Sequence, residues 1–426
     1  MTVSFTTSGL VQPSLDLAVN DERQSFQSAE QLVDDTIKEQ IAHIERQPCT
    51  VGFDDSFFVA DVGEICRQHD RWVSHLPDIM PFYAVKCNPD RVLLHTLVQL
   101  RVGFDCASVE EMRTVLSLGA SPSNIIFANP CKPAWALDFA NRAGIEKTVF
   151  DNLDELDTIK KHMPNAELLL RIYANDTSAL IAFGDKFGAP LESTKGLLVR
   201  AKELGLNVVG VSFHIGTGAS DPNAYRKAIA HSRIVWNTAQ SLGFSPRILD
   251  IGGGFHPEEE AFGPMASAVS KAIYEASFPE QTIFITEPGR FFARTVFTLV
   301  CRIISRRVSN NASPNELGML YQNDGVFGHF VNSIFEGEIF APALIKSRDN
   351  DGRPRKATHH AYKIWGPTCD SSDCVTRRAS FSCEVKINDW LVYRDMGAYT
   401  LTTATEFNGF LNKACTVYVN SDQQPT

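Results

Sequence analysis

The chain has 426 residues, 44% hydrophobic and 21% charged, which suits a globular protein with room for more than one domain. A formal net charge of −10 and a pI near 5.6 argue against broad attraction to nucleic acid or anionic membranes, and no basic cluster offsets this. No apolar run is long enough to span a bilayer, so neither a membrane nor a nucleic-acid partner is expected.

The first twenty residues, MTVSFTTSGLVQPSLDLAVN, lack the basic and apolar regions of a secretory signal. Ten cysteines, at 49, 66, 87, 106, 131, 301, 369, 374, 383 and 415, form no CxxC pair, and none joins a histidine at zinc-like spacing. A cytoplasmic protein with reduced thiols and no metal site is the expectation. Without secretion, the glycosylation sequon Asn311-Ala312-Ser313 reads as a polar turn.

In chain order, the first element is an amphipathic helix candidate, SAEQLVDDTIKEQIAHIE (28–45). Eight strand candidates follow: FYAVK (82–86), GFDCA (103–107), NIIFA (124–128), KTVFD (147–151), LLLRI (168–172), VVGVSFH (208–214), RILDI (247–251) and TIFITE (282–287). Helical patterns such as 108–120 and 221–243 alternate with them, so the spacing predicts a (β/α)8 barrel, with a doubly wound sheet as the alternative. After Arg290 the runs 295–304, 318–324, 362–366, 390–396 and 416–420 are strand-like without comparable helices between them, which predicts a separate β domain. Segments 309–316 and 347–360 read as loops, and there is no internal repeat. The expected division is an N-terminal segment (1–55), a barrel (56–292) and a β-sheet domain (293–426).

Three clusters at proposed strand ends carry chemistry. Lys86 closes an apolar strand, where an amine is costly unless exposed, paired or used. Alone it reads as a lysine reaching for solvent. Gly252-Gly253-Gly254 follows RILDI, and Glu287-Pro288-Gly289-Arg290 closes the last strand. Backbone amides lined by glycine, together with an arginine, form a phosphate site. An amine, a phosphate cradle and a carboxylate match the needs of pyridoxal phosphate: a partner for the aldehyde, donors for the phosphate and an anion for the ring nitrogen.

At these residues the chain resembles the eukaryotic-type ornithine decarboxylases, pyridoxal-phosphate enzymes of the alanine-racemase-like fold type. PFYAVKCN (81–88), FDCAS (104–108), LRI (170–172), SFHIGTG (212–218), DIGGGF (250–255), EPGR (287–290), NDGVFG (323–328), WGPTCDSSD (365–373) and MGAYT (396–400) carry the likeness, collinear from about 50 to 411. The resemblance implies a pyridoxal-phosphate barrel, a β domain completed by N-terminal residues, and a homodimer with shared active sites. It implies that Lys86 holds the cofactor covalently, His214 stacks on its ring and Glu287 binds its ring nitrogen. Thr217, Gly254, Gly289, Arg290 and Tyr399 would hold the phosphate, with Asp105 and Arg171 in support. Cys369 would reprotonate the α-carbon from the partner's loop, and Asp370 would bind the distal amine. Phe407 would border the carboxylate pocket, and Lys186 with Asp373 would form an interface ion pair. Cys369 outside this context reads as an inert buried thiol.

The chain departs from the resemblance at Phe335-Glu336, where the ornithine enzymes have Tyr-Asp. Phe327, His329 and Gly337 also differ. Either the changes are neutral, since Glu336 keeps the charge, or they reshape a pocket for a modified ornithine-like amino acid of a secondary-metabolite pathway. The first expectation is a decarboxylase turning L-ornithine into putrescine and CO2. Its rivals are that modified substrate, a catalytically inactive antizyme-inhibitor-like binding protein and an amino-acid racemase. The retained Lys86, His214, Glu287, Arg290 and Cys369 count against an inactive protein.

Overall fold

A computed structural model describes residues 28–46, 56–174, 186–218, 221–307, 317–346, 355–410 and 414–422. The first helix, Ala29–Ile44, is capped by Ser28, whose hydroxyl accepts from the Gln31 amide at 3.2 Å. Val33, Ile37, Ile41 and Ile44 form its buried face and pack on Phe57, Val59, Val300 and Trp390.

Strand β1 (Phe57–Asp61) is buried along its whole length. The sequence places these residues at the start of the barrel, and here the structure corrects it. β1 pairs antiparallel with β10 (Phe297–Arg307) and parallel with β16 (Cys415–Val419), so it is a strand of the β sheet. Its unbroken apolar run has a physical cause: Phe57 and Val59 meet the first helix, while Phe58 and Ala60 face the main core.

The barrel closes in the order β2 (Ile79–Ala84), β3 (Gly103–Cys106), β4 (Ile125–Phe127), β5 (Lys147–Phe150), β6 (Glu167–Arg171), β7 (Asn207–Ser212), β8 (Ile248–Asp250) and β9 (Ile283–Thr286). All eight pairings are parallel, and every strand expected from the sequence is present. Closure rules out the doubly wound alternative. Phe82, Ile126, Val149, Leu169, Val209, Ile248 and Ile285, contributed by different strands, form one packed cluster separate from the larger core. Such layers make a barrel interior solid and leave its strand ends for chemistry.

The remaining strands are β11 (Gly318–Gln322), β12 (Ala343–Ile345), β13 (Ala357–Trp365), β14 (Cys374–Cys383) and β15 (Trp390–Tyr393). They run β12-β15-β10-β11-β13-β14, with β1 on β10 and β16 on β1. The sequence reading missed β12 and β14, a short strand and a polar one, and took the start of β13, from Ala357 to His360, for loop. β14 alternates exposed Arg378, Ser380 and Ser382 with buried Ala379, Phe381 and Cys383, which places it against the core on one face only.

One contact fixes the segment after β9 within the barrel, and a second joins the barrel to the sheet domain. Trp72 is fully buried among Phe255, Phe262, Phe291 and Phe292, and its indole N–H donates to Ile79 O at 2.9 Å. Burial of a side chain this size stabilises by about 1.5–3 kcal/mol and fixes the segment that follows β9. A Cβ on Gly397 would collide with Ala293 O, so only glycine lets the sheet domain lie this close to the barrel. Asn88 Nδ2 then donates to Gly397 O at 2.9 Å, and the Tyr399 amide donates to Cys87 O at 3.0 Å. Among the described residues, no helix is long and apolar enough to cross a membrane.

Candidate active site at the barrel mouth

Lys86 follows β2 on a single 3-10 turn, and its Nζ donates to Asp105 Oδ2, on β3, at 2.8 Å. Asp105 is buried, whereas the Lys86 side chain is 42% exposed, open toward the barrel mouth. Burial disfavours the ammonium, but the carboxylates of Asp105 and Glu287 outweigh it and hold Lys86 above its ordinary value.

His214 follows β7, and its Nδ1 accepts from the Gly216 amide at 3.1 Å. Burial, with Arg171 and Lys86 adding to it, holds the ring well below its ordinary value. His214 is therefore a neutral imidazole with its proton on Nε2. Gly253 lets the strand ends converge: a Cβ there would sit 2.5 Å from Glu287 O and 3.0 Å from His214 Nε2. Arg171, at the end of β6, lies over the Phe187 ring at 5.3 Å.

Glu287 follows β9, and its amide donates to Gly252 O at 2.8 Å. Burial and the neighbouring carboxylates of Asp250 and Asp105 push Glu287 well above the usual carboxylate range. Asp250, at the end of β8, accepts from the Gly252 amide at 2.9 Å and is also pushed up, by burial first. The sequence reading missed Asp250, although the residue stands in DIGGGF. A carboxylate ending an apolar strand was the available signal.

Arg290 is buried after β9, with its guanidinium 5.4 Å over the Tyr399 ring. Tyr399 itself adopts a left-handed φ of 56°, and burial raises its hydroxyl above the ordinary value. Gly254 has a φ of 113°, and a Cβ on Gly289 would lie 2.8 Å from Cys87 Cβ. Thr217 is buried on the His214 loop.

The sequence pairs Glu336 with Asp370 around the substrate, and the structure corrects the first half of that. Glu336 Oε1 accepts from Arg290 Nη2 at 2.6 Å, with the side chains only 3% and 4% exposed. Its neighbour Phe335 is 68% exposed. Cys369 and Asp370 are likewise on the surface. The Cys369 amide donates to Asn408 Oδ1 at 3.0 Å, and Asp370 accepts from the Ser372 amide and hydroxyl at 2.8 and 2.6 Å, bonds that lower its pKa. Phe407, beside Asn408, stacks on Phe327 at 4.3 Å. Asn408 was not singled out from the sequence. Asp373 is buried and accepts from the Val326 and Thr368 amides within its own chain, while Lys186 lies over Phe187.

The residues around Lys86 fit pyridoxal phosphate. Buried polar atoms without a protein partner here include Asp105 Oδ1, Arg290 Nε, Arg290 Nη1 and Glu336 Oε2. Orphaned atoms this deep are rare. Carboxylates near Lys86 suit a protonated ring nitrogen, and the spare guanidinium donors suit a phosphate.

A closed barrel with a lysine, a carboxylate cluster and an arginine at its strand ends defines a pyridoxal-phosphate enzyme of the barrel-plus-sheet type. Residues 62–294 match the pyridoxal-binding domain of the pyridoxal-dependent decarboxylases, and the chain belongs to that family: it is a pyridoxal-phosphate-dependent carboxy-lyase. The ornithine decarboxylase of Neurospora crassa is 42% identical over 421 residues, spanning 92% of this chain and 87% of that protein. That of Saccharomyces cerevisiae is 40% identical over 405 residues, 91% of this chain and 85% of that protein. The solved arginine decarboxylase of Paramecium bursaria Chlorella virus superposes with a TM-score of 0.84 at 34% identity, covering 91% of this chain and all of that one.

Proposed function

We propose that the protein converts L-ornithine to putrescine and CO2 in the cytoplasm, as a homodimer whose active sites are shared between subunits. The observation that carries this reading is Lys86 Nζ on Asp105 Oδ2, beside an arginine with two unpartnered nitrogens. The ornithine decarboxylases among the relatives support the substrate.

Bound pyridoxal phosphate supplies an aldehyde for the lysine amine and a ring that accepts the electron pair left behind when the α-carboxylate departs. Asp105 Oδ2 orients the Lys86 amine through its hydrogen bond. Neutral His214 would stack on the cofactor ring without adding charge there. Glu287, raised by burial, would bind the protonated ring nitrogen, whose charge would favour the ionised carboxylate. Arg290 would hold the phosphate, its Nε and Nη1 having no protein partner. Phe407 makes an apolar wall that favours loss of the carboxylate charge. Cys369 of a second copy returns a proton to the α-carbon, and Asp370 of that copy binds the distal ammonium.

Two features support the shared site. Cys369 and Asp370 stand exposed on their own subunit, and the large apolar side chains of Ile334, Phe335, Phe407 and Phe410 are exposed on the same domain. Release of CO2 from a panel of carboxyl-labelled amino acids tests the reading. Ornithine is expected to give the highest kcat/KM. No CO2 from any amino acid would support the inactive binding protein, and α-proton exchange without CO2 would support the racemase.

A further inference from the structure

Gly252, Gly253 and Gly254 form the loop after β8, and Gly252 and Gly254 both have left-handed φ values, 67° and 113°. Three successive glycines leave the backbone free to turn its peptide groups unless each is held. Gly252 is held at both ends: its N–H donates to Asp250 Oδ1 at 2.9 Å, and its carbonyl accepts from the Glu287 amide at 2.8 Å. The peptide between Gly253 and Gly254 is held from another side, by the Tyr225 hydroxyl, which donates to Gly253 O at 2.8 Å. Tyr225 lies in the first turn of the helix Pro222–Ser241, whose start is fixed by Asp221 accepting from the Asn223 amide at 2.9 Å. Its ring is fully buried, stacks on Phe255 at 5.3 Å and meets Phe213 edge-on at 6.5 Å. One side chain thus touches the residue before His214 and the residue after Gly254.

We propose that Tyr225 is a positioning residue of the cofactor site, which sets the direction of the Gly254 N–H and through it the grip on the cofactor phosphate. The inference rests on Gly254 as a donor to that phosphate. In a trans peptide the C=O and the N–H point in opposite directions, and no peptide bond among the described residues is cis. Gly253 O, turned toward Tyr225, therefore directs the Gly254 N–H away from the helix Pro222–Ser241. Without the hydroxyl, a buried carbonyl loses its donor, and glycine on both sides lets the peptide rotate toward another. The Gly254 amide then leaves its direction, whereas Lys86, Glu287 and Arg290 keep theirs. Phosphate binding weakens while the contacts to the pyridine ring remain.

The test titrates cofactor-stripped wild-type protein and Tyr225→Phe with pyridoxal phosphate and, separately, with pyridoxal, which has the same ring and aldehyde but no phosphate. Tyr225→Phe keeps the ring contacts and removes only the hydroxyl. It is expected to bind pyridoxal phosphate about tenfold more weakly and pyridoxal within about twofold of wild type. The phosphorus NMR resonance of the bound cofactor is expected to shift between the two proteins. Equal losses for both ligands, the result of a merely structural role, would overturn the proposal, as would an unchanged affinity for pyridoxal phosphate. If Tyr225→Phe does not fold, replacing Tyr225 with para-aminophenylalanine, a weaker donor, carries the same test. About threefold looser pyridoxal phosphate with unchanged pyridoxal is then expected, and unchanged pyridoxal phosphate overturns the proposal. A wild-type protein that binds pyridoxal as tightly as pyridoxal phosphate would overturn the phosphate site itself, and the tyrosine's part in it with it.

Discussion

Lys86 Nζ and Asp105 Oδ2 lie 2.8 Å apart at the ends of neighbouring parallel strands of the barrel. The register pairs Ala84 with Asp105, so the lysine two residues on arches back over the carboxylate. Asp105 is thereby the nearest base to the amine that meets the cofactor. Asp105→Asn removes the carboxylate that aims the amine and lowers the Lys86 pKa, because the opposing charge is lost while burial remains. The variant is expected to keep its fold and lose about 100-fold in kcat/KM. Steady-state kinetics with a Tm measurement checks this, and activity within threefold of wild type would contradict it.

Lys86 stands on the barrel and Cys369 on the sheet domain, and the shared site joins the Lys86 of one subunit to the Cys369 of its partner. Lys86→Ala and Cys369→Ala are each expected to be nearly inactive. When mixed under conditions where subunits exchange, they should regain up to about a quarter of wild-type activity, because half the dimers are mixed and each has one intact site of two. No recovery, with exchange verified by tagged subunits, would contradict the shared site.

In the sheet domain, Asp324 accepts from His329 Nδ1 and Ser56 Oγ at 2.6 Å each, entirely buried. Burial alone would raise the Asp324 pKa, but the histidine and these hydrogen bonds bring it below the usual carboxylate value. A depressed folded pKa contributes stability that is fully present above the unfolded value of about 4 and is lost as pH falls through the folded value. Asp324→Asn should cost about 3–5 kcal/mol at neutral pH. Denaturant unfolding between pH 7 and 3 should show the gap from wild type shrinking only below about pH 4. A gap that stays constant to pH 3 would contradict this linkage.

Much of the site was legible because it sits at strand ends whose apolar runs announce themselves. The runs ending at Lys86, Asp105 and Glu287 fixed both the barrel and the neighbourhood of the cofactor. Other features depend on contacts between distant segments. β1 reads as one more apolar strand, and only the first helix and β10 on either side explain its membership of the sheet. Glu336 reads as a lengthened aspartate, and nothing local reveals that its partner is Arg290. Asn408 holds the Cys369 loop from 39 residues away, a distance that leaves no pattern in the sequence.

The most direct test of the central claim is to reduce the purified, cofactor-loaded protein with borohydride and map the modified peptide. An imine between the Lys86 amine and pyridoxal phosphate becomes a stable amine, so the account predicts one phosphopyridoxyl label, on Lys86, with complete loss of activity. A label on any other lysine, or an unlabelled Lys86 in protein that still carries pyridoxal phosphate and releases CO2, would contradict it.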